Sequence, residues 1–198
     1  MKTLKNICLQ FQIEYPILDI IVLTSGHIND TYKVICKNHT AYVLQRINHS
    51  VFKNVPEIIS NKVEITNQLK STAHNYQVAN FIPSKANTYH IETKGGFWTM
   101  MTYISNSRTI ERAENTKQVF EAGKLYGNFL ATTFTIEVEK IAETIPNFHA
   151  VPFRFSQFEK ALKHADTSRV SACQDLIDYI FGLKTDLFQL SELKEKNA

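Results

Sequence analysis

The residues best suited to chemistry lie in a short polar turn and at the end of a nearby strand-like run. Ser25-Gly26-His27-Ile28-Asn29-Asp30 separates two apolar runs. Its single glycine lets the backbone adopt conformations that a Cβ forbids and bring N–H groups close to a bound anion. One glycine is a weak signal, and an ordinary hairpin turn is the commoner reading of such a hexapeptide. Arg46 adds a fixed positive charge that could reach back beneath the turn toward the phosphates of a nucleotide. Strand alternation puts Leu44 and Arg46 on one face. A solvent-facing base at a strand end is the alternative for Arg46. Glu57 and Glu64 share a helix face, and either could pair with Arg46 as the helix glutamate of protein kinases pairs with a strand lysine. Taken singly, each also reads as a solvated helix residue.

One further match is rejected. His164-Ala165-Asp166 has the form H-x-D, but Ser171 stands where a metal-holding Asn would follow the Asp, and no strand follows to carry a second acid. The sequence also has no G-x-x-x-x-G-K-[ST], H-E-x-x-H or G-x-S-x-G, which argues against P-loop, zinc-protease and serine-hydrolase chemistry.

The elements that must position these residues follow from periodicity. Leu4, Ile7, Cys8 and Phe11 fall at helical spacing, predicting an amphipathic helix that ends before Pro16. Runs at 20–23, 31–36 and 42–47 predict a three-stranded meander, with Lys37-Asn38-His39-Thr40 as its second turn. Residues 56–73 lack glycine, place Ile58, Ile59, Val63 and Leu69 on or near one face, and open on Pro56, predicting a helix. Strands at 88–92 and 97–104 flank the hairpin signal Thr93-Lys94-Gly95-Gly96. This is an α+β lobe. Beyond Ser105-Asn106-Ser107-Arg108 the texture turns helical. Thr116 is an expected N-cap, and Val119, Phe120, Gly123, Tyr126, Gly127 and Leu130 follow at helical spacing. A short helix is predicted over 155–164, then one long helix marked by Val170, Cys173, Ile177, Ile180, Leu187 and Leu190. The expected domains are a β-rich 1–105 and an α-rich 106–198.

Composition excludes several classes. The 198 residues, 43% hydrophobic and 21% charged, suit a globular protein. A net charge of +3 from scattered Lys and Arg gives no basic stripe, so nucleic acid is not an expected partner. Cys8, Cys36 and Cys173 are far apart and odd in number, which fits reduced thiols in a cytoplasm. No apolar run approaches the ~20 residues that span a bilayer, and Gln10, Gln12 and Glu14 interrupt any leader-like core.

The ordered segments SGHINDTY, YVLQRINHSVF, GGFWTMMTYI, IPNFH and FRFSQFEKAL resemble the aminoglycoside phosphotransferase and choline kinase superfamily, and within it the N-acetylhexosamine 1-kinases. The resemblance covers nearly the whole chain. It implies a protein-kinase-like fold with ATP between a β-rich N-lobe and a helical C-lobe. Ser25, Gly26 and Asn29 would cover the phosphates, and Arg46 would stand for the usual kinase lysine. The backbone at Thr102, Tyr103 and Ile104 would hydrogen-bond adenine. Of Met100 and Met101, only one can face adenine, because neighbours in a strand point oppositely, and Met101 is the one assigned. His27 would lie near the substrate, although a lone turn histidine is more often incidental.

The resemblance also implies what should follow. The superfamily's catalytic H-x-D-x-x-x-x-N loop and its Mg²⁺-binding acid are expected beyond residue 198, so this chain carries no catalytic or metal residue and should be inactive alone. Part of an apolar core should be left uncovered. The expected acceptor is the anomeric hydroxyl of an N-acetylhexosamine (GlcNAc or GalNAc). The alternatives are another small hydroxylated acceptor (an aminoglycoside, choline or homoserine), or a noncatalytic nucleotide-binding or interaction module.

Overall fold

The computed structural model describes residues 2–24, 26–72 and 76–196, and the chain divides into two compact units, Met1–Thr144 and Ile145–Ala198. In the first, α1 (Lys2–Cys8) precedes β1 (Ile17–Leu23), β2 (Asp30–Cys36) and β3 (Ala41–Ile47), with a single 3₁₀ turn, Lys37–His39, between the last two. Then come α2 (Val55–Ser71), β4 (Ile91–Thr93), β5 (Gly96–Thr102), α3 (Thr116–Thr133) and a second 3₁₀ turn, Val138–Lys140. The strands form one antiparallel sheet in the order β1-β2-β3-β5-β4. The predicted meander is present, and β5 inserts beside β3.

Strand alternation gives the sheet two unlike faces. Val34, Cys36, Tyr42, Leu44, Trp98 and Met100 share one face and are buried with Ile7, Cys8, Phe11 and Ile13 from α1 and the segment after it. This is the main core. On the other face, Ile47 packs with Val55 and Ile59 of α2, flanked by Phe52, Val63 and Phe97. α2 forms where its sequence predicts. It has Pro56 in the first turn, Glu57 near the positive end of the helix dipole and Lys70 near the negative end, and it stops where Thr72 turns extended.

Element boundaries differ from the sequence prediction in places. Of the strand predicted over 88–92, only Ile91 onward pairs with β5, because Ser84 and Thr88 tie residues 84–88 into a loop through mutual side-chain and backbone bonds. Asn115, not Thr116, caps α3. Its Oδ1 accepts from Gln118 N at 3.0 Å, while Gln118 Oε1 accepts from Glu114 N at 2.8 Å, a reciprocal arrangement close to a capping box. α3 itself has no buried residue, and Val119, Phe120, Leu125, Tyr126 and Leu130 are exposed.

The second unit holds α4 (Val151–His164), α5 (Thr167–Ala172), α6 (Gln174–Gly182) and α7 (Lys184–Lys196). The single long helix predicted here is three. Breaks fall at Cys173 (φ −113°, ψ 13°), outside helical geometry, and at Leu183, which follows the poor helix former Gly182. Phe155, buried on α4, meets Phe158, Phe181 and Phe188 edge-on, and Lys184 Nζ lies 4.6 Å from its ring centre and 2.9 Å from Glu159 Oε1.

Candidate functional site

The turn between β1 and β2 is clamped to the end of β3. Asn29 Oδ1 accepts a hydrogen bond from Asn48 N at 2.9 Å. Asp30, opening β2, stands opposite Arg46 in the β2–β3 register, and their side chains form an ion pair. Arg46 also donates to Gly95 O at 3.4 Å, and it joins Ile28, Asn48, His49 and Ser50 around a polar hollow of about 220 Å³. His27 is exposed, and Ser25 lies outside the described residues. Gly26 is not in the left-handed region, and a Cβ added there would meet nothing closer than Asn29 O at 3.8 Å. The conformational freedom expected of this glycine is not used in this conformation. Gly96 is the position that needs it, with φ +114° and His49 Nδ1 only 3.2 Å from where a Cβ would stand.

The expected pairing of Arg46 with Glu57 or Glu64 is replaced by the pair with Asp30. Two alternations explain this. Arg46 is opposite Asp30 and Trp98, so it belongs to the α1 side of the sheet, whereas α2 packs on the side of Ile47 and Phe97. At ~100° per residue, Glu57 and Glu64 also sit on the flank of α2 away from the stripe Val55, Ile59 and Val63 that meets the sheet. The β3 residue that does share the α2 side is Gln45, which donates from Nε2 to Thr31 Oγ1 at 3.2 Å. Gln45 was missed in the sequence reading, although counting outward from Leu44 gives its side at once.

The segment following β5 is arranged as follows. Met100 is fully buried in the α1-side core, and Met101 points to the α2 side, half-buried, opposite Val43. Thr102 N–H donates to Asn80 O at 2.9 Å, and its Oγ1 accepts from Asn80 N at 2.9 Å. Tyr103 N–H donates to Ala41 O at 3.1 Å. Those two donors are therefore committed, and among the described residues Ile104 N–H has no partner. Lys33 of β2, opposite Val43, holds its ammonium 4.0 Å from the Tyr103 ring centre. Val43, Met101, Tyr103 and Lys33 thus line a half-covered patch on the α2 side. The sequence showed Val43 and Lys33 only as strand residues, because the patch exists through cross-strand register.

Asp166, the rejected H-x-D acid, caps α5. It accepts from Ser168 N at 2.8 Å, and bonds from the Ser168 hydroxyl, then from the Ser168 and Arg169 backbone, hold its carboxyl below its ordinary pKa. Among the described residues, no three His, Cys, Asp or Glu side chains gather to hold a metal ion, and no helix is long and apolar enough to cross a membrane.

No family model matches the sequence. Among solved structures the chain is similar to amicoumacin kinase hAmiN, described in complex with AMP-PNP, Ca²⁺ and Ami. The TM-score is 0.55 and the identity 17%, with 83% of this chain and 54% of that one covered, so the chain spans about half the length of the kinase it matches. At that identity the likeness is one of fold, and the fold is α+β and protein-kinase-like.

Proposed function

We propose that this chain is the nucleotide-binding part of an ATP-dependent small-molecule phosphotransferase. The observation that carries the reading is the α2 side of the sheet, within a kinase-like fold. Val43, Met101 and Tyr103 offer half-buried surface beside the Ile104 N–H, which has no partner among the described residues, while the opposite side of the same strands is closed core. In protein kinases the strand lysine that meets the phosphates also faces the helix that follows, which makes the α2 side the nucleotide side. Adenine would lie against Val43 and Met101 and accept from Ile104 N–H. The Gly26–Asn29 turn would cover the phosphates. Arg46 would act through that turn by holding Asp30, and His27 would face the acceptor.

Among the described residues no three metal-ligating side chains gather, so the reading is confined to ATP itself. Asp30, the acid nearest the turn, is already paired with Arg46, so no step through Mg²⁺ is assigned to this chain. The proposed acceptor is an N-acetylhexosamine, supported by the segments SGHINDTY and YVLQRINHSVF. Titrating ATP into this chain by calorimetry reads the nucleotide half of the proposal, and saturable binding that adenosine also shows is expected. The acceptor half is read by incubating the full gene product with ATP, Mg²⁺ and GlcNAc or GalNAc. Sugar 1-phosphate is expected, and its absence alongside phosphorylation of choline, homoserine or an aminoglycoside would move the assignment to that acceptor.

A further inference from the structure

The α2 side of the sheet lacks the cation that a kinase-like nucleotide site requires on its third strand. Gln45 occupies the β3 position that faces α2, and it is neutral and bonded to Thr31. Arg46 faces the other way, with its charge matched by Asp30. A triphosphate bound on the α2 side would therefore meet no charge from β3, and the strand cation on that side, Lys33 of β2, lies against the Tyr103 ring. A lysine on α2 answers that need. Lys62 follows Ile58 by four residues, Ile59 by three and Val55 by seven, which puts it on the same flank of α2 as those three buried residues. Its neighbour Asn61 is fixed by a two-way bond with Ala142, donating at 2.8 Å and accepting at 2.9 Å, so this turn of the helix is held in place.

Lys62 is partly buried, and no residue forms an ion pair or hydrogen bond with its ammonium among the described residues. Burial lowers its pKa from the ordinary lysine value, and desolvation is the sole cause. An unmatched ammonium kept partly out of water costs stability unless an anion joins it. An anion brought to the buried flank of α2 would meet this ammonium with its charge unmatched.

We propose that Lys62 is the phosphate-binding cation of the nucleotide site, with α2 supplying from its buried flank the charge that β3 does not carry. The proposal rests on the nucleotide reading above and names a residue within it. Its three methylenes beyond Cβ give the ammonium reach across the α2–sheet junction, and as a point charge it suits the oxygens of a polyphosphate.

The test is calorimetric titration of ATP and of adenosine into the full chain, unaltered and as Lys62→Met and Lys62→Arg, with circular dichroism as the check on folding. Lys62→Met should bind ATP about tenfold or more weakly, the loss of one charge-assisted bond, while adenosine affinity stays the same. Lys62→Arg should recover most of the loss. ATP affinity within about twofold of the unaltered chain in Lys62→Met, or an equal loss for ATP and adenosine, overturns the proposal and leaves the nucleotide reading standing. Failure of the unaltered chain to bind either ligand overturns both. Should Lys62→Met not fold, amine acylation of the unaltered chain read by mass spectrometry decides the matter. Protection of Lys62 by saturating ATP and not by adenosine supports the assignment, and equal labelling under all conditions refutes it.

Discussion

The two faces of the sheet are cut from the same strands, one residue apart, and they do opposite things. On the α1 side the alternate residues Val34, Cys36, Tyr42, Leu44, Trp98 and Met100 are all buried, most of them completely. On the α2 side Thr99 is buried as well, but Lys33, Val43, Gln45 and Met101 are only partly covered. The contrast is sharpest at Met100 and Met101, adjacent in sequence, the first at 0% exposure in the core and the second half-buried on the open patch. A fully packed face holds the lobe together, and a face packed at one end only, by Ile47, Val55 and Ile59, has room for a ligand at the other. A site on such a sheet is found by parity first and by residue type second.

Breaking the closed face should have the largest effect. Phe11 is fully buried in the α1-side core, and Phe11→Ala should cost about 3–5 kcal/mol in urea unfolding. A loss under ~1 kcal/mol would mean that this face is not the core of the lobe. The same face gives an alkaline signature. Burial, with the neighbouring Cys36 adding to it, pushes the Cys8 thiol up from 9.0 to about 12. Its folded pKa lies above its unfolded one, so the folded state is favoured fully below pH 9 and loses ground as pH climbs from there toward 12. The slope is about 1.4 kcal/mol per pH unit at most, and it should flatten in Cys8→Ala. In the native protein a thiol reagent at neutral pH should label exposed Cys173 well before buried Cys8 and Cys36.

The open face is sharpened by moving a charge one residue along β3. Gln45→Lys puts a cation on the α2 side and should tighten ATP binding about tenfold, whereas Arg46→Lys, on the other face, should leave it nearly unchanged. Equal responses at the two positions would dissolve the distinction between the faces. The smallest effect belongs to Arg46→Ala. Its pair with Asp30 is about half exposed on both sides, so unfolding should shift by under ~1 kcal/mol, with ATP binding weakened only through a looser turn.

The N-terminal lobe was legible to a large extent because its patterns are local. β-branched runs and turn residues gave β1 to β3, and the glycine-free, Pro56-led stretch gave α2. Apolar periodicity was a poorer guide at element ends, where short-range side-chain bonds and backbone breaks decide. The loop at 84–88 took over part of a predicted strand, Asn115 displaced Thr116 as cap, and a continuous apolar periodicity concealed two helix breaks at Cys173 and Leu183. The site residues divide in the same way. That Met100 and Met101 face opposite sides follows from strand alternation alone, whereas the partner of Arg46 and the cap made by Asp166 do not follow from it.

By itself the sequence determined an α+β lobe with a turn and a strand-end arginine beside each other, since the spacing of hairpin strands fixes which residues must be neighbours. The tertiary structure alone decided on which side of the sheet each neighbour acts. A helix may pack on either face of a strand, and that choice put Arg46 with Asp30 on one side and left Gln45 and Lys62 on the other.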